Sequence, residues 1–386
     1  MNMLKIPLIV LISGLFPMFV FGQKDSLVNH FEEKPEQIKE VIQLDKKGRK
    51  HGDYRSFYLS GELKEKGKFK KDLQAGTWNV FFRDGQLKQV VNFKKGVLIG
   101  DYVLYHGNGK MQQKGTYVDG KINGVVDSWF DNGNLEASGS MKDGKEEGLW
   151  KVYFDDGNLQ SEATYTGGIQ YGTSKLYHPN GQLYQETNWD NGLRQGEFKM
   201  YHENGHLRQS GTYKEGQMFG EINEFYSNGQ LAYKTWLQAD VENGDYEEYY
   251  ENGQKRAQGG YVYGLKDGLW TTWYENGQKK EESDYLSGNP DGEFKLYHEN
   301  GQIKQLGAYE EGLAVGNVKF YHANGNSEAV GAMENGLPEG PWVRYHENGK
   351  TKAEVNFKDG KIVGEVIEYD ENGRLIEALK EIAPRD

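Results

Sequence analysis

Two series of glycines run through this chain with a period of 24 residues and no slip. The first runs from Gly52, Gly76 and Gly100 to Gly340 and Gly364. The second lies nine residues later, from Gly61 and Gly85 to Gly373, and each series has fourteen members. Self-similarity at such a period marks a repeat architecture, in which each unit buries its apolar residues against its neighbours. A length of 386 residues otherwise suggests two or three domains, and the period replaces that reading with an array.

Taking the first glycine of each copy as position 0, position 5 is aromatic in every copy. It is Phe57 and Phe81 in the first two copies, then Tyr105, Trp129, Tyr153, Tyr177, Tyr201, Phe225, Tyr249, Trp273, Tyr297, Tyr321, Tyr345 and Tyr369. Position 6 is aromatic or His except at Asp370, and position 2 is often Trp, Tyr or Phe (Trp78, Trp150, Trp270, Trp342). Position 11 is usually Leu, as at Leu63 and Leu159; position 15 is mostly small; position 17 is mostly Tyr or Phe, as at Phe69 and Tyr213. A third glycine stands at position 20 in most copies, including Gly96, Gly120 and Gly360.

Asn or Asp precedes the second glycine in thirteen of fourteen copies. Asn-Gly between apolar-rich runs signals a hairpin, since both residues tolerate φ > 0. Gly109, Gly133, Gly205, Gly253, Gly277, Gly301 and Gly349 are therefore read as structural turn glycines. The glycines at positions 20 and 24 enclose the return to the next copy. The predicted fold is all-β: an elongated array of about 14 tandem antiparallel hairpins, a continuous meander or solenoid. About 28 strands at ~4.8 Å spacing would extend on the order of 130 Å before twist and curvature.

The turn type sets which side chains share a face. A two-residue turn pairs position 2 with 15 and 0 with 17, placing Trp150 across from Ala163 and Gly148 from Tyr165. Position 5 then faces polar residues at position 12, such as Lys64 and Gln112, on the opposite side. A three-residue turn with a bulge instead puts positions 5 and 11 on one face and switches position 2. The first register is favoured because large rings over small residues pack flat. Either way both faces carry aromatic rows, one for the core and one for a second layer or a binding surface.

Gly268-Leu-Trp-Thr-Thr-Trp-Tyr-Glu-Asn-Gly277-Gln is representative of a unit that resembles the MORN repeat (membrane occupation and recognition nexus). It looks most like the bacterial variant found in YwqK-type antitoxin proteins. The match covers roughly residues 48–376. The resemblance implies twisted hairpins used for binding. The 24-residue period and the extra aromatic before the turn depart from the eukaryotic unit, so membrane or phosphoinositide binding is not carried over. A weaker likeness to the aromatic hairpins of cell-wall-binding proteins fails on spacing, because two residues separate Trp270 from Trp273.

Around the array, Met1–Gly22 reads as a cleaved signal peptide, with Lys5 as its only charge and Ile6–Phe21 largely apolar. Its sixteen-residue apolar run with two prolines makes a poor membrane span. An exported chain follows: periplasmic, cell-surface or secreted. Residues 23–47 are a polar lead-in, within which Glu36–Leu44 forms a short helix or a first strand. Gly48 fits position 20 of a degenerate preceding unit, and residues 377–386 form a C-terminal cap and tail.

The chemistry that composition permits is narrow. The absence of Cys removes disulfides, thiolate metal sites and thiol nucleophiles. A net charge of −12 without a basic block argues against nucleic acid and anionic membranes as partners. Six of nine histidines fall at position 6 (His106, His178, His202, His298, His322, His346), but equivalent residues ~9.6 Å apart do not converge on one metal. They read as packing residues of aromatic size. Carboxylates in the turns at Glu251, Glu275, Glu299 and Glu347 give way to Ala323, Pro179 or Ser227 without disturbing the unit, unlike a catalytic pair. No P-loop, HExxH or triad signature is present. No catalytic residue, cofactor or metal is expected.

The candidate binding row is position 5, notably Tyr153, Tyr177, Tyr201, Tyr249, Trp273, Tyr297, Tyr321 and Tyr345, beside Lys, Glu and Gln. The competing reading is packing between hairpins. The expected function is a non-enzymatic scaffold for protein–protein interaction in the cell envelope or outside the cell. An antitoxin or immunity protein that covers a toxin is the alternative implied by the resemblance, and a glycan-binding protein is the third.

Overall fold

A computed structural model describes residues 25–379. The signal-peptide segment Met1–Gly22 and the end of the tail lie outside the described residues. All regular structure among the described residues is β, in 33 strand segments. The chain divides into two compact units, up to Tyr171 and from Gly172, and each is an antiparallel meander.

One hairpin represents the unit. Strand Lys145–Tyr153 pairs with Leu159–Thr166, with Gly148 opposite Tyr165 and Trp150 opposite Ala163. This is the favoured register. It shifts between Val152 and Tyr153, however, so that Tyr153 pairs with Leu159 and not with a residue at position 12. The cause is the tip. Phe154 N–H donates to Asn158 O (2.8 Å), and Gly157 N–H donates to Phe154 O (2.9 Å). Three residues thus lie within the loop, and only the glycine takes a left-handed conformation (φ 94°). The extra residue is absorbed by a bulge at position 12, leaving the register of positions 0 to 4 intact. Each expected alternative therefore holds for part of the strand.

Consecutive left-handed residues occur instead at the return turn. Lys95 (φ 54°) and Gly96 (φ 78°) join the paired residues Lys94 and Val97, a two-residue loop of type I′ character. Asn191 (φ 48°) and Gly192 (φ 80°) repeat it in the second unit. The primed turn matches the twist of the strands it joins, which suits it to this end.

A second irregularity builds the core. Ser138 pairs with Lys151 and Ser140 with Glu147, so Gly139 alone faces Gly148, Leu149 and Trp150. The wide side of this bulge delivers the position-2 ring onto the small residue at position 15. In the first unit the buried cluster includes Trp78, Val91, Phe93, Tyr102, Leu104, Ile122, Val126, Met141 and Trp150. In the second it includes Phe198, Tyr213 and Ile222. These residues occupy positions 2, 4, 15, 17 and 22, which define the core face.

The lead-in resolves to strand. β1 (Ser26–His30) pairs with β2 (Ile38–Leu44), which pairs with β3 (Lys50–Phe57). The β1–β2 pairing shows the same shift, between Asn29 and His30, and Phe31 N–H closes the tip onto Gln37 O (3.1 Å). It is a further, degenerate hairpin with a longer tip.

Candidate binding face

Opposite the core face, positions 3 and 14 form cross-strand ladders. In the first unit Lys114 pairs with Asp127, Asp127 with Ser138, Ser138 with Lys151 and Lys151 with Glu162. In the second unit Lys175, Glu186 and Lys199 follow one another, as do Lys234, Glu247 and Gln258. Opposite charges meet across neighbouring strands: Lys114 Nζ lies 3.3 Å from Asp127, and Lys234 Nζ 3.1 Å from Glu247. Such half-exposed pairs contribute at most about 1 kcal/mol each, so they order the surface more than they stabilise it.

The position-5 rings flank these ladders. Tyr153 lies in the first unit; Tyr177, Tyr201, Tyr249, Trp273, Tyr297, Tyr321 and Tyr345 lie in the second, and all eight are half-buried. Their ladder partners are the position-11 residues: Leu159, Leu183 and Leu207 for the first three, Lys255 for Tyr249 and Lys279 for Trp273. The rings contact the charged ladder directly. Lys66 and Lys114 ammonium groups each lie 5.4 Å from the rings of Phe81 and Trp129 respectively. Tyr249 donates its hydroxyl to Glu247, and Tyr297 donates to Glu282. Burial and then the glutamate partner push each of these phenols up to about 12. Burial opposes ionisation of Glu247, but hydrogen bonds from Tyr249, Lys234 and Lys255 outweigh it and hold the carboxyl below its ordinary value. The face thus carries half-buried rings beside an ordered charge lattice, to which Tyr249 and Tyr297 are tied by their hydroxyls.

The turn residues have structural work of another kind. Gly109, Gly133, Gly205, Gly253, Gly277, Gly301 and Gly349 all have φ between 82° and 96°. The preceding Asn does not share that conformation. Its Oδ1 accepts the backbone N–H two residues on, as in Lys110 N–H to Asn108 (3.0 Å). Its Nδ2 donates to the next hairpin's tip, as in Asn108 to Asp131 O (2.7 Å) and Asn276 to Glu299 O (2.9 Å). Asn therefore recurs as a bridge between tips, which the turn signal alone did not reveal.

The histidines at position 6 form a second bridge. Through Nε2, His106 meets Trp129 O at 2.7 Å, His298 meets Tyr321 O at 2.8 Å and His346 meets Tyr369 O at 2.9 Å. His178, His202 and His322 do the same. Tyr58, Tyr226, Tyr250 and Tyr274 reach the equivalent carbonyl with their hydroxyls. The carbonyl is an acceptor only, so Nε2 carries the hydrogen. Among the described residues no three His, Asp or Glu converge as a metal site. The carbonyls of Glu275, Glu299 and Glu347 in the tips accept the Asn bridges.

Compared with known families, a model described as the MORN repeat variant matches residues 50–71, 74–95, 98–119, 146–166, 170–191, 194–215, 242–263, 266–286, 290–311 and 338–359. No curated protein matches the sequence. Among solved structures, TcdB2-TccC3 aligns over 92% of this chain and 24% of its own, at 10% identity and a TM-score of 0.17. The Photorhabdus luminescens Tc holotoxin pore aligns over 91% of this chain and 21% of its own, at 11% identity and a TM-score of 0.17. The chain spans about a quarter of the length of the first of these, and likeness at this level carries no argument. The family match covers more than half of the chain, in ten copies that follow the hairpin period, and the protein belongs to the MORN repeat variant family.

Proposed function

We propose that this repeat scaffold is exported and holds a protein partner along the face that carries the position-5 rings. The carrying observation is the alternation of half-buried rings with ordered Lys and Glu ladders on the side away from the core. Rings give contact area at low entropic cost, and fixed charges give register to a bound surface. A repeat array multiplies such weak contacts along a partner.

The test has two arms. Protein purified from the exported fraction should begin at Gln23; a full-length chain retained inside the cell with Met1 intact overturns export. Affinity capture from envelope extract should return a partner that a Tyr249→Ala, Tyr297→Ala, Tyr345→Ala variant loses. Equal recovery by the variant overturns the assignment of this face. Recovery of an oligosaccharide in place of a protein shifts the reading to glycan binding, and a toxin as the captured protein identifies an immunity role.

A further inference from the structure

The array provides its own controls, because a residue that departs from the unit can be compared with its equivalents in neighbouring copies. One such departure lies on the core face of the second unit. A cleft of about 490 Å³ is lined by Gln209, Ile222, Tyr233, Thr235, Glu242 and Tyr246, among others. The rings of Tyr233 and Tyr246 stand 6.2 Å apart at an interplanar angle of 22°.

Position 15 here is Thr235, which is only 5% exposed and whose hydroxyl has no hydrogen-bond partner within the protein. Equivalent hydroxyls are satisfied by position 13 of their own unit. Gln185 donates to Thr187 at 2.8 Å, and Ser283 donates to Glu281 at 2.8 Å. In this unit position 13 is Tyr233, whose hydroxyl goes to Glu224 instead (3.0 Å). A buried hydroxyl without a partner is costly to the fold, and its retention points to a ligand group.

Position 22 varies along the array: it is Arg194 and Lys266 in two copies, Met218 and Ala314 in others, and Glu at both Glu146 and Glu242. Arg194 lies 4.2 Å from the Tyr213 ring, and Lys266 lies 4.2 Å from the Trp270 ring, so these copies cover their core-face rings with a cation of their own. The equivalent residue in this unit is Glu242, beside Tyr246 and Tyr261. The lining carries Asp240 and Glu242 and no Lys or Arg. Asp240 is already engaged by the Met218 N–H (2.7 Å). The cleft thus presents a carboxylate, two ring walls and an orphan hydroxyl.

We propose that this cleft binds a primary alkylammonium group, the lysine side chain of a protein partner, with Glu242 as counter-ion, Tyr233 and Tyr246 as walls and Thr235 as an added acceptor. Cation–ring and charge-assisted contacts are the interactions such a group makes. The cleft lies on the face opposite the position-5 row, so this inference and the proposed partner face stand or fall separately.

The test is calorimetric titration of the whole chain with Nα-acetyl-lysine methylamide, with the Nε-acetylated form and 1,5-diaminopentane as comparisons. The lysine derivative should bind, with the Nε-acetylated form silent. Glu242→Gln should weaken binding by about tenfold, as expected for loss of one charge-assisted contact. Thr235→Val, which keeps the shape of the side chain, should weaken it by about threefold or more. The position-5 triple variant should bind the derivative as the parent does. Absence of binding to the parent chain, equal binding of the acetylated form, or binding of the diamine alone each overturns the assignment.

Discussion

The indole of Trp150 lies face-on against the backbone of Gly139, so closely that a Cβ on the glycine would stand 2.1 Å from Cδ2 and 2.3 Å from Cε2. Gly67 with Trp78, Gly259 with Trp270 and Gly331 with Trp342 repeat the arrangement. Every Trp at position 2 therefore has glycine at position 15 of the preceding unit. The Trp150 indole N–H donates to Ser140 O (2.9 Å), which fixes the ring in that plane. Gly139→Ala is expected to destabilise by about 3 kcal/mol through overpacking against a ring that cannot move aside. Chemical denaturation followed by tryptophan fluorescence measures it. The Gly139→Ala, Trp150→Leu double variant should lose less stability than the sum of the two single effects, because the clash is shared.

At the tip, Gly277→Val should cost well over ~1 kcal/mol, because a β-branched residue resists φ near 85°. Asn276→Asp should cost only about 1 kcal/mol. It keeps the acceptor for the Gln278 N–H and loses the donation to Glu299 O. Asp already stands at the equivalent places in Asp84 and Asp156. Equal thermal stability of the valine variant and the parent would refute the turn assignment.

His298→Phe should be tolerated at a loss of about 1 kcal/mol, the usual net value of one hydrogen bond. Phe82, Phe130 and Phe154 occupy the same position. His298→Ala should lose about 2–3 kcal/mol, because ring packing goes as well. If the alanine variant matches the phenylalanine variant in denaturant midpoint, the ring's packing role is wrong.

The array should weaken in alkali. Burial raises the pKa of Tyr102, Tyr117, Tyr213 and Tyr246, and burial with Glu224 nearby pushes Tyr233 up to about 12. A raised phenol stays protonated in the folded chain while the unfolded chain ionises near ~10. The associated stability is complete below that value and is lost as pH rises through the folded-state pKa. Absorbance at the phenolate band should show these tyrosines titrating only with unfolding. A single ordinary titration of all tyrosines in the folded chain would contradict the buried placement.

Much of the fold was legible because glycine and the hairpin period are local signals. The φ > 0 requirement at Gly109 or Gly277 is met within a few residues, whatever surrounds them. Position 2 facing position 15 was favoured because large rings pack flat over small residues, although alternation alone fitted a second register as well. The lead-in was legible only in part, as a helix or first strand at Glu36–Leu44 and a degenerate unit ending at Gly48, because its tip, around Pro35 and Glu36, lacks the glycines and is longer than the others. The Lys and Glu ladders of positions 3 and 14 had a faint signature in their recurring charges, at Lys151 and Glu162 or Lys175 and Glu186.

What the amino-acid order determined by itself was the repeat and its antiparallel hairpins, set by bond geometry and short-range alternation, while it left two registers for Trp150 open. Only the tertiary structure decided the rest. It placed the Trp150 ring on Gly139 eleven residues earlier, led His298 to the carbonyl of Tyr321 in the next copy, and left the Thr235 hydroxyl without a partner. Those outcomes depend on two bulges per unit, and a bulge moves a side chain between partners that lie far apart in sequence, which no local rule specifies.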